Sequence, residues 1–112
     1  MHVKNGSHIN EIPIHIHEYK SFAKRLKGLM FRLKPIVNEG ILLHPCNSIH
    51  MFFMFFSIDA VFIDKNGIIV ALRENVKPWT VVLPVKDAVS TLELPAGAIA
   101  KYSIKEGQEI DI

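Results

Sequence analysis

The stretch IDAVFIDKNGIIVAL, residues 58–72, decides the fold. Ile58 to Ile63 and Ile68 to Leu72 are two apolar runs joined by Asp64-Lys65-Asn66-Gly67. Asn-Gly between two such runs is the strongest short-range hairpin signal, because both residues tolerate positive φ. A two-residue turn and a longer turn ending in a glycine bulge both fit. Each strand is apolar on both faces, so the hairpin is expected to be central and covered on each side.

Outward from the hairpin the signals are weaker. Ile12, Ile14 and Ile16 alternate with His15 and His17, the period of a half-buried strand whose two histidines point to solvent together. Tyr19, Phe22, Ala23, Leu26, Leu29 and Met30 recur at steps of three and four. That spacing predicts an amphipathic helix over residues 20–30, with Phe22, Leu26 and Leu29 turned to the sheet. Gly40 to Leu43 reads as a short strand after a loop over 35–40. Trp79 to Leu83 and Val89 to Leu94 read as two more, held between Pro78, Pro84 and Pro95. Ala96 to Tyr102 reads as a short second helix, and Glu109 to Ile112 as a last strand. Together these predict a small α+β domain. Its core is a mainly antiparallel curved sheet or partly closed β-barrel, with one amphipathic helix packed on it.

Composition narrows the class. The 112 residues are expected to form one domain, 1–112; they are 49% hydrophobic and 21% charged, a globular balance. The single cysteine excludes an internal disulfide and suits a reducing compartment. The first twenty residues lack the apolar core of a signal peptide. The longest apolar run, Met51 to Phe56, is far shorter than the roughly 20 residues a transmembrane helix needs. A cytoplasmic protein without a membrane span is therefore expected. The formal net charge of +2 is too small to argue for nucleic acid.

Five motifs then stand in order: GLMFR (28–32), GILLHPCNSIHMFFM (40–54), IDAVFIDKNG (58–67), LELPAG (92–97) and IKEGQEI (104–110). In this order they resemble the domain-of-unknown-function family numbered 192, over about residues 20–112. The resemblance implies a compact β-rich domain of bacteria and archaea with no agreed activity. One departure stands out. Similar proteins usually carry a basic residue after the Phe-Phe-Met, then an aromatic residue and a proline. Phe55 and Ser57 replace the basic residue and the proline here. A charge-based role at position 55 does not carry over.

Four groups of residues could carry chemistry. Cys46 and His50, with His44 or Met54, are soft ligands of the kind that hold zinc or copper. Structural zinc needs four protein ligands, and one thiolate falls short, so no resident metal or other cofactor is expected. Cys46 with His50 could form a nucleophile and base, but no oxyanion motif accompanies them, so no catalytic residue is assigned. Lys20, Lys24, Arg25, Lys27, Arg32 and Lys34 make a basic stretch. It reads as a solvated helix face, and a nucleic-acid partner is not expected. Asp59 and Asp64 read as a strand-end cap and a turn residue. The Met51–Phe56 segment holds more apolar bulk than one face can bury. Burial on both faces is the plainer reading; partial exposure would mark a binding surface. The functional expectation is a non-enzymatic binding or interaction module with His50, Phe55 and Trp79 as its binding residues. Its partner would be a protein or a small apolar ligand, with weak self-association allowed. The alternative is a soft-metal protein built on Cys46 and His50.

Overall fold

The structure is a computed structural model that describes residues 1–20, 29 and 32–112. The helix expected over residues 20–30, with Phe22 and Leu26, lies outside the described residues. Leu29 is described, and it is buried.

Ten strands and one helical turn follow in chain order: β1 His2–Asn5, β2 His8–Glu11, β3 His15–Tyr19, β4 Glu39–Leu43, β5 Ile49–His50, β6 Ile58–Ile63, β7 Ile69–Val76, β8 Val81–Val82, β9 Ser90–Pro95, α1 Ala98–Lys101 and β10 Glu109–Asp111. Among the described residues they form three sheets. The largest has the order β3-β4-β9-β6-β7, a smaller one β10-β1-β2, and β5 pairs with β8 alone. The large sheet is mixed and open: β3 runs parallel to β4, the other pairs are antiparallel, and β3 and β7 are its two ends. Neither a closed barrel nor an α+β balance is present among the described residues, where helix amounts to the single turn α1.

The hairpin forms where the sequence places it, with Ile63 opposite Ile69. Its turn is the longer of the two alternatives. Gly67 alone among its residues has positive φ, at 81°. The Asp64 carboxyl accepts the main-chain N–H of Asn66 at 2.8 Å and of Ile68 at 2.9 Å, which makes Asp64 the turn residue expected of it. β6 is buried along its whole length, between β9 and β7. β7 is not central. It ends the sheet, and Arg73, Glu74 and Asn75 lie exposed on it, with no strand beyond them among the described residues.

The alternation of β6 feeds two apolar clusters on opposite faces of the sheet. Ile58, Ala60 and Phe62 join Ile41, Leu43, Met51, Met54 and Phe56 on one face. Val61 and Ile63 join Leu92, Leu94, Ile14, Ile99 and Ile110 on the other. Where β4 crosses β9 the backbones come close. A Cβ on Gly40 would stand 2.8 Å from the Glu93 main-chain oxygen. Glycine is the residue that fits there.

Two buried acids sit in this sheet. Asp59 is fully buried and its carboxyl oxygens are all used. One accepts the Asn75 N–H at 2.9 Å; the other accepts those of Gly97 at 3.1 Å and Ile99 at 2.9 Å. The β6–β7 register slips beside it, between Ile58↔Val76 and Ala60↔Arg73. One residue on β6, Asp59, thus opposes two on β7, Glu74 and Asn75, a bulge whose free N–H Asp59 accepts. Glu93, on β9, is the opposite case. It is buried, and its Oε1 has no hydrogen-bond partner. Loss of water lifts its carboxyl to about 7.

Two outcomes follow. Asp59→Ala leaves three main-chain donors short of an acceptor and is expected to cost about 3 kcal/mol or more in urea unfolding. Glu93 holds its proton more tightly folded than unfolded. Stability is therefore expected to fall as pH rises from about 4.5 to about 7, by roughly 3 kcal/mol in all. Glu93→Gln should remove that slope, read by urea unfolding across the same pH range.

Candidate functional site

The Met51–Phe56 segment is neither a strand nor buried on both sides. After the two-residue β5 the chain turns, because the Met54 N–H donates back to the Met51 carbonyl at 3.3 Å. The turn sorts the six side chains. Met51, Met54 and Phe56 point into the core, while Phe52, Phe53 and Phe55 are exposed. The inward three anchor the segment through apolar burial, roughly 1.5–3 kcal/mol for a fully buried side chain of this size. The outward three remain in water.

A second loop is pinned beside this turn. The Met51 N–H donates to the Thr80 carbonyl at 2.7 Å, and the Trp79 N–H donates to the Met51 carbonyl at 2.7 Å. Trp79 is thereby held next to the phenylalanines. Its ring lies 5.1 Å from that of Phe53, edge to face, and 6.3 Å from that of Phe52. Phe52 lies 5.2 Å from the imidazole of His50. The result is a chain of four rings, His50, Phe52, Trp79 and Phe53, with Trp79 55% and the two phenylalanines 43% exposed. Aromatic pairs prefer such tilted and edge-on arrangements. The His50 Nδ1 is buried with no hydrogen-bond partner, although the residue as a whole is only half-buried.

The backbone carries a cost here. Phe53 and Trp79 both have positive φ, 61° and 65°. That region is poor for bulky L-residues, and such outliers concentrate at binding sites. The ring chain continues along β8. His50 is directly opposite Val81 in the β5–β8 ladder, so the two share a face. Val81 and Leu83 are exposed, Leu83 at 75%. An apolar ridge thus runs from Phe53 to Leu83.

Of the three binding residues expected from sequence, His50 and Trp79 stand in one ring chain. Phe55 is 51% exposed, yet among the described residues no ring contact joins it to that chain. Nothing in the sequence distinguishes Phe52 and Phe53, the ring partners of Trp79, from the rest of the apolar run. Period alone could not separate the outward side chains from the inward ones in a turn.

Two members of the soft-ligand group are bonded elsewhere. The Cys46 thiol donates to the Ser48 carbonyl at 2.9 Å, and the Cys46 main chain is tied to Val89 and to Thr91. The His44 imidazole bonds the Ser90 hydroxyl at 2.7 Å. Among the described residues no three His, Cys, Asp or Glu side chains come together as a metal ion would require. His15 and His17 are partnered to each other edge to face at 4.7 Å, and His17 lies 3.7 Å from Glu39. Of the basic stretch, Arg32 is paired with Glu39 and Lys20 lies 3.8 Å from Glu18. Among the described residues no helix is long and apolar enough to cross a membrane.

Comparison with known proteins agrees with the resemblance seen in the motifs. The family described as Uncharacterized ACR, the domain of unknown function numbered 192, matches residues 2–112. A UPF0127 protein of Thermococcus sibiricus is 38% identical over 97 residues, which are 81% of this chain and 61% of that protein. One of Pyrococcus furiosus is 33% identical over 104 residues, covering 90% of this chain and 89% of its own. The chain spans about three fifths of the length of two Thermococcus relatives it matches, 61% and 59%. A solved structure of a protein of unknown function from Novosphingobium aromaticivorans has a TM-score of 0.82 at 23% identity, covering 99% of this chain and 82% of its own. A protein from Sinorhizobium meliloti reaches 0.83 at 20%, covering 98% and 89%. At those identities the likeness concerns the fold alone.

The strained backbone makes a checkable statement about the ridge. Trp79→Gly removes the positive-φ penalty and is expected to keep or raise stability, by up to about 1 kcal/mol in thermal melting. A loss of more than about 1 kcal/mol would mean that the indole is a packing residue.

Proposed function

The chain belongs to the family of the domain of unknown function numbered 192, and on that premise we propose that it is a non-enzymatic binding module. Its working surface is the ridge of His50, Phe52, Phe53 and Trp79, extended by Phe55 and Val81. One observation carries the reading: two large aromatic residues are held half-exposed on backbone that is unfavourable for them. A fold that only needed stability would bury those rings or place glycine beneath them. Exposed apolar patches of this kind mark sites where a partner covers the surface. The partner is a protein or a small apolar ligand. The same ridge permits weak self-association of the isolated chain. The chain acts as a single domain, and its lone thiol suits the reducing cytoplasm.

Phe55 gives the sharpest test. The family resemblance implies a basic residue at its position, and here it adds apolar area beside the ridge. Phe55→Arg is expected to lower self-association in light scattering across protein concentration, with stability changed by no more than about 0.5 kcal/mol. A loss on the order of 3 kcal/mol or more, from forcing a charge into packed surroundings, would show Phe55 to be part of the core.

A further inference from the structure

Beyond Val81 the ridge opens into a groove of about 510 Å³, walled by Arg73 of β7, by Val81, Leu83, Pro84 and Val85, and by Lys86. The groove's apolar wall is aliphatic, and its two titratable residues are both cations. Glu74 and Asp87 adjoin those cations in sequence but do not line the groove. Among the described residues neither cation is matched by an acid: Arg73 donates to the Leu72 carbonyl at 2.9 Å, and no ion pair there includes Arg73 or Lys86. Through Arg73 the groove reaches β7, the end of the large sheet. Past Ile69 no strand pairs with its outer edge among the described residues.

We propose that this groove takes an extended peptide segment of a partner protein in which acidic and aliphatic side chains alternate. The inference rests on the reading of the ridge as a binding surface and adds the chemistry of the partner. Alternation follows from the extended form, since successive side chains of a strand point to opposite sides. Carboxylates would meet Arg73 and Lys86, while aliphatic side chains would lie on Val81, Leu83 and Val85. An open strand edge offers the main-chain hydrogen bonds by which extended peptides dock. A nucleic acid would also answer the charge, but bases need π-faces to stack on, and this groove offers aliphatic ones.

The probe is an acetylated ten-residue peptide alternating Glu and Leu, with a Lys-Leu peptide of the same pattern as control. Trp79, the chain's one tryptophan, sits on the ridge and reports binding by its fluorescence. The Glu-Leu peptide is expected to bind the wild type. Arg73→Glu with Lys86→Glu, both at exposed positions, should weaken it about tenfold and give the Lys-Leu peptide an affinity it lacks for the wild type. Raising the salt to about 0.5 M should weaken the wild-type complex as well. Circular dichroism confirms that the double variant is folded. Equal binding of both peptides to both proteins overturns the acidic-peptide assignment. If Phe52→Ala with Trp79→Ala then abolishes that binding, with fluorescein on the peptide as the reporter, the ridge reading survives alone. No binding of any peptide overturns the inference, as does tighter binding of single-stranded oligouridine or of phosphatidylserine vesicles.

Discussion

The buried carboxyl group of Asp59 is the constraint on which the rest of this structure depends. It sits where β6 and β7 slip register, and its two oxygens take up three main-chain donors from two separate segments. Unpaired main-chain donors in a dry interior cost about 1–3 kcal/mol each, so one side chain offsets what would otherwise prevent the bulge and the Gly97 turn from lying together. The bulge has a consequence downstream. Asn75, whose N–H Asp59 holds, has positive φ and bends the chain as it leaves β7. From there four residues lead to Trp79. The position of the exposed indole is thus traceable to an acid in the core.

The two faces of the large sheet do different work. One is closed by β1, β10, α1 and the isoleucines around them, and it gives the fold a conventional apolar layer. The other is closed in part by the Met51–Phe56 turn, whose inward methionines fill the layer and whose outward rings make the ridge. One six-residue segment therefore contributes to both core and ridge. Substitutions at Met51 or Met54 are expected to move the ridge as they loosen the core, whereas Phe52 and Trp79 can change with the core intact.

Much of the sheet is legible because strong local signals coincide with it. Asp64 to Gly67 places a turn, and Asp64 binds the turn it begins. Pro78 and Pro84 bracket β8, although only Val81 and Val82 pair within it. Ile12 and Ile14 are buried as their alternation suggests, but the strand starts later, at His15, because β4 is there to pair with it. β1 and β2 escape a reading based on apolar runs, since they hold four charged or histidine side chains in eight residues. Asn5-Gly6 between them is the same hairpin dipeptide that marks residues 66–67, and Gly6 has φ 64°. It was the available signal. The apolar faces of β7 suggested a central strand, but local pattern does not say which strand ends a sheet.

The candidate site divides along a similar line. By itself the sequence determined that residues 51–56 carry too much apolar bulk for one buried face and that Cys46 is the one thiol of the chain. Tertiary structure alone decided which of the six side chains face water, that Trp79 closes on Phe52 and Phe53, and that Arg73 and Lys86 meet across one groove. The reason is physical. Apolar excess and ligand counts are sums over residue types, which the chain carries wherever it goes. Exposure and juxtaposition depend on hydrogen bonds between distant segments, here those joining Met51 to Trp79 and Thr80, and no local periodicity encodes them.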